Sequence, residues 1–425
     1  MIRTIDRRTR TLRRIFALLG LLLLPLSGAA QPEGTAESLS EEAEASVLTI
    51  WPGEALYSAF GHTAIRIQDP SSGLDRAYNY GTFDFETEGF YLKFLRGRLD
   101  YMLSRAPTEA HLRLYREQGR SVLEQQLALS PAEVDSLHRF LEWNYRPENR
   151  TYRYDFFFDN CATRPRDALE RVLGDRLRFP ATRTPADSLR TFRRHLDPYL
   201  RDRPLIGLGV DLILGSPADS IAEPYETMFL PIELKEQLSR AELRPRPTGK
   251  PNEAARTEAA RPLITETDTL YWSGRAFPPE SPIPWLSATL WILLAGALVQ
   301  TTRDVLRADD AEPVAATRRL DALLFAAVGV MGTIMLLLWT ATDHAVTGPN
   351  WNLLWAWPTH ILAAVALWTG AQRSSAAAYL GVSVGAVLVT LAAWPWLPQT
   401  LPATLVPLLV VLLLRGGIRG VRALP

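Results

Sequence analysis

Among its 425 residues the chain has a single cysteine, Cys161, which excludes an internal disulfide framework and leaves any folded part to be held by its own core. Lysine is nearly absent too: Lys93, Lys235 and Lys250 stand alone among 46 basic residues, which 46 acidic ones balance. No basic patch interleaved with aromatics is present, so no nucleic-acid partner is expected. Neither a cluster at metal-ligand spacing nor a phosphate-cradling glycine loop occurs, so neither metal nor cofactor is expected. The lone thiol needs its own explanation.

What the chain has is apolar sequence in two places. The first, at 15–26, follows Arg3, Arg7, Arg8, Arg10, Arg13 and Arg14 and precedes Ser27-Gly-Ala-Ala30. A basic region, a run too short for a span of about 20 residues and small residues before Gln31 make 1–30 a secretory signal peptide. The second comprises five blocks, at 285–301, 320–342, 353–370, 376–394 and 401–414. Each is near the length that crosses roughly 30 Å of hydrocarbon as helix, the last being the shortest. Arg303, Arg307, Arg318 and Arg319 follow the first block, Arg373 the third, and Arg415, Arg419 and Arg422 the fifth, while 343–352 and 395–400 lack Lys and Arg. The positive-inside rule makes the arginine loops cytoplasmic and the bare ones external. Residues 283–425 therefore read as an all-α membrane domain of about five transmembrane helices behind an exported domain.

Between these regions, 31–46 is small, polar and acidic and reads as a disordered leader. Residues 47–242 read as an α+β domain. Residues 62–68 alternate as a half-buried strand, Asp69-Pro-Ser-Ser-Gly73 makes a turn, and 77–85 returns as the second strand. Ser130-Pro-Ala-Glu133 combines an N-cap, proline at the first helical position and a capping-box glutamate. Residues 152–158 are aromatic and strand-like, after which Asp159-Asn-Cys161 opens a helix stopping near Gly174. The apolar stretch 205–215 is too short to span, and is either a buried helix or one lying on the membrane surface. Residues 243–282 read as a linker and juxtamembrane segment.

A cysteine at the first turn of a helix is held toward thiolate by unpaired backbone N–H groups, which makes Cys161 a candidate nucleophile. Of the six histidines, His62 opens a strand within Phe60-Gly-His62 and is the candidate base. Read from the residues alone, an inert buried thiol and a structural histidine remain open.

The order of histidine on a strand, a polar residue on the next strand and Asn-Cys opening a helix resembles the circularly permuted papain-like (NlpC-like) arrangement. More closely, Tyr57-Ser-Ala-Phe-Gly-His62-Thr-Ala-Ile-Arg-Ile67, Tyr78-Asn-Tyr-Gly-Thr-Phe-Asp-Phe85, Tyr154-Asp-Phe-Phe-Phe-Asp-Asn-Cys161-Ala-Thr-Arg164 and Leu214-Gly-Ser-Pro-Ala-Asp219 resemble the Lnb N-terminal periplasmic domain. Thr342-Asp-His344 and Asn350-Trp-Asn-Leu-Leu-Trp355 resemble that family's membrane part. The resemblance implies a lipoprotein N-acyltransferase, like the Lnb proteins of Bacteroidota, in the bacterial inner membrane with its catalytic domain in the periplasm. It implies that Cys161 takes an acyl chain from a phospholipid as a thioester, with His62 as base and acid, and that the amine of a diacylated lipoprotein then attacks.

Asn79 is the first choice to orient His62, with Asp84 and Thr82 as rivals, because a one-residue register change swaps faces. Asn160 is a candidate oxyanion donor, and Arg164, with Arg166, a candidate headgroup contact. Asp343 and His344, with Asn350 and Asn352 beyond, fall in an external loop and are candidates for the substrate site, His344 even as an alternative base. His360, inside a span, is read as bonding to a neighbouring helix. Two other functions stay open: a thiol amidase or peptidase of the cell envelope, against which five spans argue, and a non-catalytic membrane scaffold or transporter.

Overall fold

The computed structural model describes residues 38–84, 86–180, 190–245, 259–277, 284–306, 315–370 and 374–422. The signal peptide at 1–30, the first part of the leader and most of the linker's Pro-rich stretch lie outside the described residues. The second strand's expected end at Phe85, with Arg307 and Arg373, also lies outside them.

The exported half is built on strands β1 (Glu44–Ile50), β2 (His62–Asp69), β3 (Leu74–Thr82), β4 (Asp100–Pro107), β5 (Val122–Leu127) and β6 (Thr151–Arg153). Small pairs follow at β7 (Leu177–Arg178), β8 (Glu242–Leu243) and β9 (Arg261–Pro262), and β10 (Ile264–Tyr271) returns to the main sheet. That sheet runs β10-β5-β1-β2-β3-β4-β6, every pair antiparallel. Two boundaries differ from the sequence reading. Strand β1 starts at Glu44, inside the expected leader, because Ala43 and Ala45 pack into the core and Asp69 accepts from Ser40 Oγ at 2.6 Å. Within the expected linker, β10 pairs with β5; its mostly exposed side chains give no apolar alternation to read.

Alternation gives the sheet two apolar faces. Val47, Ile65, Ile67, Tyr78, Tyr80 and Leu103 fill one, and Leu48, Ile50, Ala64 and Ala77 the other. Helices α1 (Phe90–Leu95), α2 (Thr108–Glu117), α3 (Pro131–Tyr145) and α4 (Thr163–Leu173) follow in the chain. The expected capping box starts α3: Ser130 N donates to Glu133 Oε2 at 2.9 Å. Leu137 and Leu141 of α3 and Leu169 of α4 cover the first face, and Tyr115 of α2 packs on the second. Truncating Leu137 or Leu141 to alanine costs about 2–5 kcal/mol. Three further helices, α5 (Phe192–Leu200), α6 (Pro204–Ile213) and α7 (Pro231–Arg240), complete the exported half.

The membrane half has α8 (Trp285–Leu306), α9 (Ala315–Ala341), α10 (His360–Thr369), α11 (Ser374–Ala393) and α12 (Val406–Arg422). Among the described residues four segments are helical, long and apolar enough to cross a membrane, whereas α10 has ten residues, about 15 Å of helix. The third crossing is nevertheless complete, because 351–370 runs antiparallel along α9. Its end lies beside the start of α9, where Arg319 sits 5.5 Å over the Trp368 ring, and Gly348 just before it lies against Trp339. From Arg318 to Trp339 is about 31 Å of helix, the depth of the hydrocarbon core. The irregular part at 351–359 is anchored in protein through buried Asn352, Trp355 and Ala356, as non-helical backbone at that depth needs. A Cβ on Gly332 would collide with the Ala356 carbonyl oxygen, so α9 presents bare backbone to it. As expected, His360 bonds across helices, to Tyr379 Oη at 2.9 Å, as well as to the Trp355 carbonyl.

The two halves meet at the external ends of the membrane helices. Helix α6, within the apolar stretch 205–215, packs on them through Leu208 and Leu212. Gly215 N donates to the Val346 carbonyl at 2.8 Å, Ser216 N to that of Pro349 at 2.8 Å, and Asn350 Nδ2 to that of Leu212 at 2.7 Å. A Cβ on Gly215 would come within 2.6 Å of the Pro349 oxygen. Buried Arg193 braces the same turn, pairing with Asp219 at 2.9 Å and donating to the Leu214 carbonyl at 3.1 Å. The 214–219 motif is thus one fastening between the halves.

Candidate active site

Strand β2 carries His62 at its first position and β3 carries Asn79, on the same face as Ala64 and Ala77. His62 Nε2 bonds Asn79 Oδ1. An amide oxygen only accepts, so Nε2 carries the imidazole proton and Nδ1 keeps a free lone pair. Asn79 is held in turn by Thr82 Oγ1 at 3.4 Å, and Thr82 by Ser104 Oγ at 2.6 Å. Of the three candidates on this strand, Asn79 meets His62, Thr82 stands behind it and Asp84 points to solvent.

The sheet brings Cys161 to the same place through a glycine. The β3–β4 register shifts between Asn79 and Thr82, and Gly81 there has φ +93°, a conformation side chains rarely adopt. A Cβ on Gly81 would lie 3.3 Å from Cys161 Cβ and 3.9 Å from His62 Cε1, so both approach the space a side chain would fill. The Cys161 sulfur also takes a hydrogen bond from the Thr63 backbone N–H, next to His62.

The thiol's electrostatics differ from the sequence expectation. Helix α4 opens at Thr163 with Ala162 as N-cap, so Cys161 precedes the first turn. Burial pushes its thiol up to about 11, against the Thr63 N–H, its own N–H and the charge of Arg120. Burial likewise lowers His62 to about 4, aided by Arg120 and opposed by the Asn79 hydrogen bond. At neutral pH the resting pair is a neutral thiol and a neutral imidazole.

Arg120 is the residue that sequence reading missed. It precedes β5 at the end of the sheet where Ile50 pairs with both His62 and Val122. Its side chain is 4% exposed, with Nε donating to the Trp51 carbonyl at 2.9 Å and Nη1 to Gln118 Oε1 at 3.3 Å. Among the described residues Nη2 has no partner and no carboxylate pairs with the group, leaving a buried cation beside the thiol and imidazole. Its nearness follows from the strand order, which no local motif announces.

The other sequence candidates serve structure. Asn160 is buried with its amide committed: Oδ1 accepts from Ala162 N at 2.7 Å and Thr163 N at 3.0 Å, and Nδ2 donates to the Phe156 and Phe229 carbonyls at 2.6 and 2.9 Å. It shapes the turn that presents Cys161 and leaves no donor for an oxyanion. Arg164 pairs with Asp159 through Nη2 at 2.6 Å and lies over the Tyr152 ring, and Arg166 pairs with Asp167 at 2.7 Å. Asp343 pairs with Arg98 at 2.8 Å and Arg153 at 3.2 Å, and His344 Nε2 meets the Leu95 carbonyl at 3.1 Å. These two join the halves at the α1–β4 turn and do not meet Cys161. Asn352 donates to the Leu212 carbonyl at 3.3 Å and, like Asn350, belongs to the junction. Among the described residues no group of three or more His, Cys, Asp or Glu is placed to hold a metal ion.

The model of the Lnb N-terminal periplasmic domain matches residues 30–195, and that of the Lnb transmembrane domain matches 282–422. The chain belongs to the Lnb family. It is a multi-pass inner-membrane protein whose Lnb N-terminal domain is periplasmic, which agrees with the loop charges. No curated protein and no solved structure matches it.

Proposed function

We propose that this protein is a cysteine-dependent acyltransferase that carries an acyl chain on Cys161 from a phospholipid to the N-terminal amine of a diacylated lipoprotein. The observation that carries this reading is the convergence of Cys161, His62 and Asn79 at Gly81, in a domain fastened to the external ends of membrane helices. Such a seat suits two substrates that both reside in the outer leaflet, and it disfavours a soluble peptide.

His62 Nδ1 takes the Cys161 proton as the sulfur attacks the ester carbonyl carbon of the phospholipid. The C–S bond forms and the carbonyl π pair moves to oxygen, near the Arg120 cation. When the intermediate collapses, the C–O bond breaks and His62 returns its proton to the departing lysophospholipid oxygen. The lipoprotein amine, as free base, then attacks the thioester carbonyl. His62 removes one N–H proton, the C–S bond breaks, and that proton re-forms the Cys161 thiol. One ester and one amine become one alcohol and one amide, with no redox partner. Asn79 keeps the imidazole in the required tautomer throughout.

The test is complementation of a strain lacking its own N-acyltransferase. Cys161→Ala and Cys161→Ser, at normal protein levels, are expected to leave lipoproteins with free amines. Full complementation by Cys161→Ala would sink the thioester route.

A further inference from the structure

The α1 segment is an anomaly in a water-facing domain. Tyr91, Leu92, Phe94 and Leu95 are 76%, 60%, 52% and 58% exposed, so four of its six residues are bare apolar side chains. Surface apolar residues are ordinary singly, but such a run marks a contact surface. Exposed Lys93 and Arg96 are interleaved with it, giving the apolar and basic mixture of a segment lying at a lipid headgroup boundary.

Its place in the fold says what covers it. Asp343 N donates to the Arg96 carbonyl at 3.0 Å, His344 bonds the Leu95 carbonyl, and a Cβ on Gly97 would stand 3.2 Å from His344 Nδ1. Asp343 lies two residues past the end of α9, about 3 Å of helix rise, so α1 sits at the level where that span leaves the membrane.

From α1 a row of rings leads inward. Phe90 is buried and lies 5.9 Å from Phe83, Phe83 5.2 Å from Tyr101, and Tyr101 stacks on Tyr154 at 4.2 Å. Tyr101 and Tyr154 both lie within electrostatic range of Cys161. From Arg98, which pairs with Asp343, to Tyr101 is about 10 Å of extended chain. The row thus leads from the α1 segment toward the thiol.

We propose that α1 is a lipid portal: its exposed apolar side chains sit in the outer leaflet beside α9, and a phospholipid reaches Cys161 along the Phe90, Phe83, Tyr101 and Tyr154 wall. The route rests on the acyl-transfer reading, while the membrane contact is independent of it. Full-length Cys161→Ser protein, which has no other thiol, is given Leu92→Cys or, as control, Arg139→Cys on exposed α3 surface. Each is labelled with a small fluorophore and reconstituted in vesicles of phosphatidylethanolamine and phosphatidylglycerol containing brominated-chain lipid. Quenching at position 92 and not at 139 is expected, and equal quenching at both, or none, overturns the portal whatever the protein's chemistry. In the Cys161 protein, Leu92→Asp with Phe94→Asp should slow acylation of Cys161 by vesicle phospholipid at least tenfold and leave acylation by a water-soluble short-chain thioester unchanged. Equal losses with both donors, or no loss with phospholipid, also overturn it. Absence of any phospholipid-derived acyl group in the unsubstituted protein defeats the acyl-transfer reading, and the quenching result then stands alone.

Discussion

Two polar clusters on the exported side make opposite use of their groups. In the loop after α9, Asp343, His344, Asn350 and Asn352 all reach across to the other half, and each has a partner there. Around Cys161, by contrast, the one hydrogen bond of the imidazole that fixes its tautomer leaves Nδ1 basic, the thiol is protonated, and the guanidinium of Arg120 keeps a bare Nη2. Committed groups hold structure and uncommitted buried ones are available for chemistry, because leaving them unpaired is costly unless something uses them. The sequence offered both clusters as candidates, and what separates them is how each polar group is partnered.

The largest expected break in this contrast is Cys161→Ala, which should abolish thioester formation, because it removes the chain's one thiol. Single-turnover assays with vesicle phospholipid measure it. Next, His62→Ala should cost about 10²–10⁴-fold, while His344→Ala stays near the unsubstituted rate. The reverse pattern would move the base into the loop. Asn79→Ala should cost about 10–100-fold, the worth of a hydrogen bond to a charged imidazolium.

Arg120→Met sharpens the electrostatic side. With His62 lowered to about 4, its imidazole stays unprotonated as pH falls from 7 to 5, so thioester formation should hold until pH drops through about 4. Removing the Arg120 charge raises both groups: the acid limb moves up toward 6.5 and the rate near neutrality falls by about tenfold. An unmoved limb would show that Arg120 does not act on the pair. Asp343→Ala should do least, changing the rate less than about threefold, because exposed ion pairs contribute little. A large loss of thioester formation with an unchanged melting temperature would return the loop to the active site.

Much of this was legible beforehand. The hairpin, the capping box of α3, the membrane blocks and the order His62, Asn79, Cys161 all rest on local pattern, which alternation, capping chemistry and loop charge encode directly. What was hidden depends on distant pairing. Arg120 reaches the site only because β5 lies beside β1 and β1 beside β2, and β10 is a polar edge strand with no buried face to betray it. The broken third crossing read as a plain apolar block, since composition does not register the turn at Trp351–Leu354. Cys161 stands two residues before the first helical residue of α4, and its thiol shifts upward and not downward because burial outweighs the backbone N–H groups that reach the sulfur. Asn160, whose side chain suits an oxyanion donor and a helix-start acceptor equally well, accepts from Ala162 N and Thr163 N in the turn before α4.

The most direct test of the whole account is mass spectrometry of the Cys161 peptide after brief incubation of the full-length protein with phospholipid vesicles lacking any lipoprotein acceptor. The account predicts a peptide heavier by one acyl chain, discharged by neutral hydroxylamine and by added diacylated lipopeptide, and absent from the His62→Ala protein. An unmodified Cys161 peptide in protein that still N-acylates lipoproteins would contradict it.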